Sequence, residues 1–328
     1  MLSRALVGFA LLLHVNCKLA PVVTLNDGNL MPAFGLGTWL GTTPSGSLAP
    51  VENDEVQRAV EVAIDAGYRH IDTAAIYSTE EQVGLAVRNK IKQGVIKRED
   101  IFITTKLWND HHAREDVPKG LDSSLRKLGM EYVDLYLIHF PIGTYPNMTD
   151  DHTDYLDTWR SMIELKERGL TRSVGVSNFN VAMLERLTAE TGVVPAVLQV
   201  EISLTIQQPS LLAYCRAHNI SVVGYTPFGT LFLHNKTAPP PRVDSPELVA
   251  IAQRHNKTVP QIVLRYVYEL GVTPIPKSVK KSRIEQNLDI FDFELSEEER
   301  QQLSSYDQNY RSLDLSLWKH HPYYPFEQ

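Results

Sequence analysis

Short apolar runs, rich in β-branched and aromatic residues, recur along this chain at 70–74, 102–107, 133–140, 173–178, 197–203, 220–227 and 272–278. Longer stretches of helical character separate them, such as "DEVQRAVEVAIDAGY" and "LDTWRSMIELKERG". Strand patterns that alternate with helical ones predict βαβ units, hence a parallel sheet covered by helices. No Gly/Ser-rich linker, charge block or low-complexity tract divides the chain. Its length of 328 residues, less a leader considered below, suits one (β/α)8 barrel with an added loop or two rather than two domains.

Barrels of this kind carry their active sites at the C-terminal ends of the strands. Four residues of complementary chemistry fall there: Asp72 and Tyr77 in "HIDTAAIY", Lys106 in "FITTKLW" and His139 in "VDLYLIHFP". Taken alone, such a histidine is ordinarily a satisfied core residue and such an aspartate a helix cap. Together they are the parts needed to hand a proton to a carbonyl oxygen. A phenol with a pKa near 10 holds its proton at neutral pH, and an ammonium beside it stabilises the phenolate left by donation. Tyr77 is then the general acid, Asp72 holds Lys106, and His139 orients the carbonyl.

The chain resembles the aldo-keto reductases from about Val22 onward, through "GLGTW", "GYRHIDTAAIYSTEEQVGLAV", "TTKLW", "DLYLIHFP", "GVSNFN", "LQVE", "GYTPFG", "IPKSV" and "FDFELSEEE". The resemblance implies an α/β fold: a (β/α)8 TIM barrel over 21–328 with a short N-terminal hairpin and C-terminal extra helices. It also implies NADPH as hydride donor, with Asp72, Tyr77, Lys106 and His139 as the catalytic tetrad. The activity implied is NADPH-dependent reduction of aldehydes and ketones, the alternatives being a broad aldose-type reductase or a non-catalytic ligand-binding protein on the same barrel.

"GLGTWL" begins like a dinucleotide fingerprint but has Leu40 at the sixth position and no helix directly after it, so the Rossmann interpretation fails on spacing. The phosphate site is better placed at "PKSVKKSRIEQN", where Lys277, Lys280, Lys281 and Arg283 gather in an otherwise acidic chain at a helix N-terminus. By resemblance, Lys277, Ser278 and Arg283 hold the 2′-phosphate, with Val279 and Lys280 beside them and Asn287 at the adenine. Ser177, Asn178 and Gln199 take the nicotinamide carboxamide and Tyr225 stacks on the ring. Thr226, Pro227, Phe228 and Thr230 follow the pyrophosphate, and Thr38, Trp39 and Asp72 complete the site. Leu40 stands where relatives often carry a lysine that clasps the dinucleotide, which points to faster cofactor exchange. Gln286 replaces a frequent glutamate, and Lys280 replaces a small hydroxyl residue, which favours a phosphorylated cofactor.

The substrate pocket is expected to be apolar, with Trp39, Trp108 and Phe140 as walls around Tyr77 and His139. Leu313, Leu315, Leu317 and Trp318 of the tail are expected to form a lid. "PIGTYPNMTDDHTDY" is shorter than the corresponding loop of many relatives, so the mouth is open to bulky ketones. His111 and His112, like His320 and His321, are adjacent pairs rather than spaced ligands, so no metal site is expected.

"MLSRALVGFALLLHVNCKLA" reads as a secretory signal peptide over 1–17, its apolar run being too short to span a bilayer. Sequons at Asn147, Asn219, Asn235 and Asn256 accord with that route, Asn147 and Asn235 in polar loops being the better acceptors. With only Cys17 and Cys215 there is no disulfide framework. A net charge of −7 argues against nucleic-acid or anionic-membrane partners. The expectation is therefore a secreted, glycosylated monomer acting on a small carbonyl compound. By resemblance to insect haemolymph reductases, that compound is a 3-ketosteroid such as a 3-dehydroecdysteroid.

Overall fold

The computed structural model describes residues 19–326 except 44, 46, 234–236 and 314. The signal peptide expected over 1–17 and the sequon at Asn235 lie outside the described residues. Val22–Thr24 (β1) and Leu30–Pro32 (β2) pair antiparallel as the expected hairpin. Leu36–Gly37 (β3), His70–Asp72 (β4), Phe102–Leu107 (β5), Val133–Ile138 (β6), Thr171–Ser177 (β7), Val197–Glu201 (β8), Ser221–Tyr225 (β9) and Val272–Pro274 (β10) follow as eight parallel strands in sequence order. The two end strands meet. Gly35 N–H donates to the Pro274 carbonyl and Gly37 N–H to that of Pro276, each at 3.1 Å, which closes the sheet. A side chain at position 37 would put its Cβ 2.8 Å from the Ile275 carbonyl oxygen, so this junction requires glycine.

Glu55–Ala66 (α1), Glu80–Lys92 (α2), Val117–Leu128 (α3), Tyr155–Glu167 (α4), Val181–Thr191 (α5) and Pro209–Ala217 (α6) follow the first six barrel strands. In α1 the buried positions Val56, Ala59, Val60, Ala63 and Ile64 form one stripe facing the sheet, and Gly67 at φ 108° ends the helix. Two helices, Pro246–Arg254 (α7) and Val259–Glu269 (α8), precede β10, and Lys281–Leu288 (α9) and Glu297–Ser304 (α10) follow it. Because α9 packs against both α1 and α8, it completes the ring of eight. The expectation of C-terminal extra helices is therefore corrected: of the two additional helices only α10 is C-terminal, while α7 is inserted before the last strand. The first barrel strand, β3, is two residues long, too short to show a periodicity.

Asn147, Asn219 and Asn256 are all exposed. Asn219 and Asn256 are not shielded by the helices they follow; each turns the chain out of α6 or α7 at φ 55° and 52°. Cys215 is buried on α6, and burial pushes its thiol up to about 12, which leaves it unreactive.

Candidate active site

The strand ends bring the four sequence-selected residues together. Asp72 ends β4, Lys106 lies on β5, His139 immediately follows β6, and Tyr77 closes a short 3₁₀ turn after β4. Lys106 is fully buried, and its Nζ donates to Asp72 Oδ1 at 2.6 Å, to the Thr73 carbonyl at 2.9 Å and to the Tyr77 hydroxyl at 3.3 Å. Asp72 Oδ2 accepts from Gln199 Nε2 across the barrel at 2.7 Å, so both carboxylate oxygens are satisfied. The Tyr77 and His139 rings meet edge to face at 5.5 Å, while His139 stacks on Phe140 at 4.9 Å.

Burial, and after it the charge of Asp72, pushes the Tyr77 hydroxyl well above its ordinary value. Lys106 does not by itself make Tyr77 a stronger acid in the protein, because desolvation disfavours the phenolate; the hydroxyl stays protonated. Burial draws the Lys106 ammonium downward, with Asp72 opposing. Burial and the charge of Lys106 hold His139 well below the imidazole range, so it is a neutral hydrogen-bonding ring at neutral pH.

Asp72, Tyr77 and His139 form the floor of a cavity of about 410 Å³, with Lys106 buried behind them. Of the residues expected at the cofactor, Thr38, Trp39, Ser177, Asn178, Gln199, Tyr225, Thr226, Pro227, Phe228 and Lys277 line it, as do Trp108 and Phe140. Asn178 is fixed from two sides, donating to the His139 carbonyl at 3.0 Å and accepting from the Tyr225 hydroxyl at 2.7 Å. Asn178 and Thr226 have φ of 62° and 49°. Left-handed non-glycine residues are strained, and such strain gathers at binding sites. Lys277, Lys280 and Arg283 are exposed around the N-terminus of α9 and make no side-chain hydrogen bond or ion pair with a described residue. Three unpaired cations beside a helix N-terminus fit a phosphorylated dinucleotide. Val279 stands exposed in the same turn and Asn287 is buried on α9.

Three of the expected site residues stand off the cavity wall. Thr230 turns its hydroxyl toward the Pro241 carbonyl at 3.5 Å within its own loop and does not line the cavity. Ser278 Oγ accepts from Lys280 N–H at 3.1 Å, shaping the entry to α9. Trp318 packs behind Phe140 and Trp108, at 5.8 and 6.1 Å, and Leu317 points outward at 73% exposure; only Leu313 and Leu315 of the tail reach the cavity. Sequence reasoning missed Thr42, Leu48, Ile76 and Ile275, which also line it. Ile275 was within a recognised strand run. Leu48 carried no signal, because an unpaired loop leucine acquires meaning only when the chain folds back through the Thr42–Leu48 bridge.

A closed eight-stranded parallel sheet with this strand-end constellation defines the class. The chain belongs to the aldo/keto reductase family, whose model matches residues 33–308. It is 48% identical over 307 residues to aldo-keto reductase AKR2E4 of Bombyx mori, covering 93% of this chain and 98% of the relative. It is 39% identical over 321 residues to 3-alpha-hydroxysteroid dehydrogenase of Rattus norvegicus, covering 93% and 97%. The crystal structure of the Bombyx mori enzyme in complex with NADP superposes with a TM-score of 0.90 at 47% identity, over 94% of this chain and 100% of that one. The protein is an NADP-dependent oxidoreductase, with NADPH as its cofactor.

Proposed function

We propose that this enzyme reduces bulky apolar ketones to alcohols, with the 3-keto group of a 3-dehydroecdysteroid as the substrate, and that Tyr77, Lys106, Asp72 and His139 carry the proton chemistry. The observation that carries this is buried Lys106 bridging Asp72 and Tyr77, which with His139 floor a cavity walled by Trp39, Trp108 and Phe140. Bound NADPH supplies the hydride. His139, neutral, offers an N–H to the carbonyl oxygen and fixes its direction. As negative charge grows on that oxygen, the Tyr77 O–H bond breaks and the alcohol O–H bond forms. Lys106 meets the phenolate left behind, and Asp72 keeps that ammonium charged and in place. Ser177, Asn178 and Gln199 hold the carboxamide, Tyr225 the ring, and Lys277 with Arg283 the 2′-phosphate.

The aromatic walls Trp39, Trp108 and Phe140 support an apolar ketone over a sugar, and one relative is named for hydroxysteroids. A panel of NADPH oxidation assays with small aldehydes, sugars and 3-ketosteroids tests the assignment. A kcat/KM for a 3-dehydroecdysteroid at least ~10-fold above that for small aldehydes is expected, a margin that a few well-placed apolar contacts supply. Equal values would leave a broad aldehyde reductase, and no turnover of any carbonyl would leave a binding protein.

Export is part of the proposal. The leader-like first 17 residues support it, as does the exposed sequon at Asn147, where Thr149 Oγ1 donates to the asparagine Oδ1 at 2.6 Å. Expression in a secretory cell should yield a monomeric product in the medium with a glycosidase-sensitive mass. A full-length, unglycosylated chain in the cytosol would overturn it.

A further inference from the structure

A second cavity, of about 270 Å³, lies between the N-terminal ends of α5 and α6 and the tail around Arg311 and Phe326. Asn178 alone lines both this cavity and the catalytic one. Its chemistry is one-sided. Arg311 makes no hydrogen bond or ion pair with any described residue; it sits 3.8 Å over the Phe326 ring, and its Nη1 is enclosed without an acceptor. Among the described residues no carboxylate lines the cavity. Glu201, whose charge Arg311 feels, has its oxygens occupied by the N–H groups of Ser312 at 2.9 Å and Leu313 at 3.2 Å.

A half-sequestered cation with no ion-pair partner among the described residues is unusual in a chain with a formal charge of −7, since a guanidinium withdrawn from water normally gains an anionic partner. Ser210 and Leu211 also line the cavity, and as first-turn residues of α6 they carry backbone N–H groups with no intrahelical acceptor. In α5, by contrast, the Met183 N–H is taken by Asn180 Oδ1 at 3.0 Å. Phe179, Leu211 and Phe326 supply apolar walls. A single cation matches a single negative charge, and the volume exceeds that of an inorganic anion. We propose that this cavity binds a small organic carboxylate, the oxyanion on Arg311 and the first turn of α6 and the apolar body between the two phenylalanines.

The test is calorimetric titration of the full chain, saturated with NADPH, with benzoate, with the isosteric but neutral benzamide, and with inorganic phosphate. Benzoate should bind, benzamide should not, and phosphate should bind at least ~10-fold more weakly. Arg311→Met should weaken benzoate by ~10-fold or more, the scale of one charge-assisted hydrogen bond; Arg311→Lys should have a smaller effect, because it keeps the charge but loses the planar fork. Phe326→Ala gives a second variant outside the barrel core, and His139→Asn should leave benzoate binding unchanged. Three outcomes overturn the proposal: an unchanged Kd in Arg311→Met, equal binding of benzamide, or a loss in His139→Asn, which would put the ligand in the catalytic cavity. Phosphate binding as tightly as benzoate would overturn the organic body as well.

Discussion

The two ends of the barrel are made from the same strands and have opposite characters. At the N-terminal end the β1–β2 hairpin closes the barrel, with Met31 at 0% and Leu25 at 2% exposure packed on Phe102, Leu135, Val197 and Val223. Its polar groups are paired: Asn26 Nδ2 donates to the Pro195 carbonyl at 2.9 Å, Asn29 Nδ2 to Ser173 Oγ at 3.0 Å, and Lys166 meets Asp27 at 2.7 Å. At the C-terminal end a lysine is buried completely, Asn178 and Thr226 on the cavity wall are left-handed, and three cations around α9 have no ion-pair partner among the described residues. One end spends its sequence on stability; the other carries desolvation and strain that only a ligand or a reaction gives reason for.

The sharpest way to break this contrast is to substitute one residue at each end. Tyr77→Phe keeps the ring but removes the hydroxyl, so hydride transfer should fall by at least ~100-fold while NADPH binding and Tm hold. Single-turnover kinetics beside a fluorescence titration of NADPH would check this, and near-normal turnover would sink the proton-donor role. Met31→Ala should do the reverse, destabilising the fold by about 2–5 kcal/mol through a cavity in a closed core, with kcat of the folded fraction unchanged. Urea unfolding gives the first quantity; a large drop in kcat would mean that the hairpin end is not separate from the chemistry.

The next effect sharpens the cofactor half. Lys277→Met and Arg283→Met should each weaken NADPH by ~10–100-fold and NADH hardly at all, because only NADPH carries the 2′-phosphate those cations would meet. Equal losses for both cofactors would place the cluster elsewhere.

The smallest effect concerns pH. Burial lowers His70 to about 4 and His112 to about 3, and both are fully buried. Unfolded, they titrate near 6.5, so the unfolded chain binds more protons below that pH and stability rises with pH there. The contribution is present above about 6.5 and is lost as pH falls toward 4 for His70 and toward 3 for His112. Below pH 6 each histidine should add a slope of up to about 1.4 kcal/mol per pH unit. His112→Gln should flatten the urea-midpoint profile by one such slope, and an unaltered profile would mean His112 is already protonated in the fold.

How much was legible follows from the range of each interaction. The four site residues could be picked out because each sits at the end of a strand whose own pattern is local, and barrel geometry then fixes which ends share a face. The α9 cluster was legible because a run of cations at a helix start is contiguous. That Thr230 and Trp318 stand off the cavity wall was not legible, because side-chain direction in an irregular loop has no period to read. The Gln199–Asp72 bond joins residues 127 apart in sequence, and no pattern in either neighbourhood announces it.

The sequence by itself determined the alternation of strands and helices, the spacing that fails the Rossmann pattern and the residue types of the candidate site, since these depend on periodicity and residue type, while the hairpin came from the family resemblance. Tertiary structure alone decided that β3 meets β10, that α9 is a barrel helix while α7 is inserted, that Leu48 reaches the cavity and that burial raises the Tyr77 hydroxyl further. Closure, packing and desolvation depend on which distant segments come together, and a residue's environment does not exist until they do.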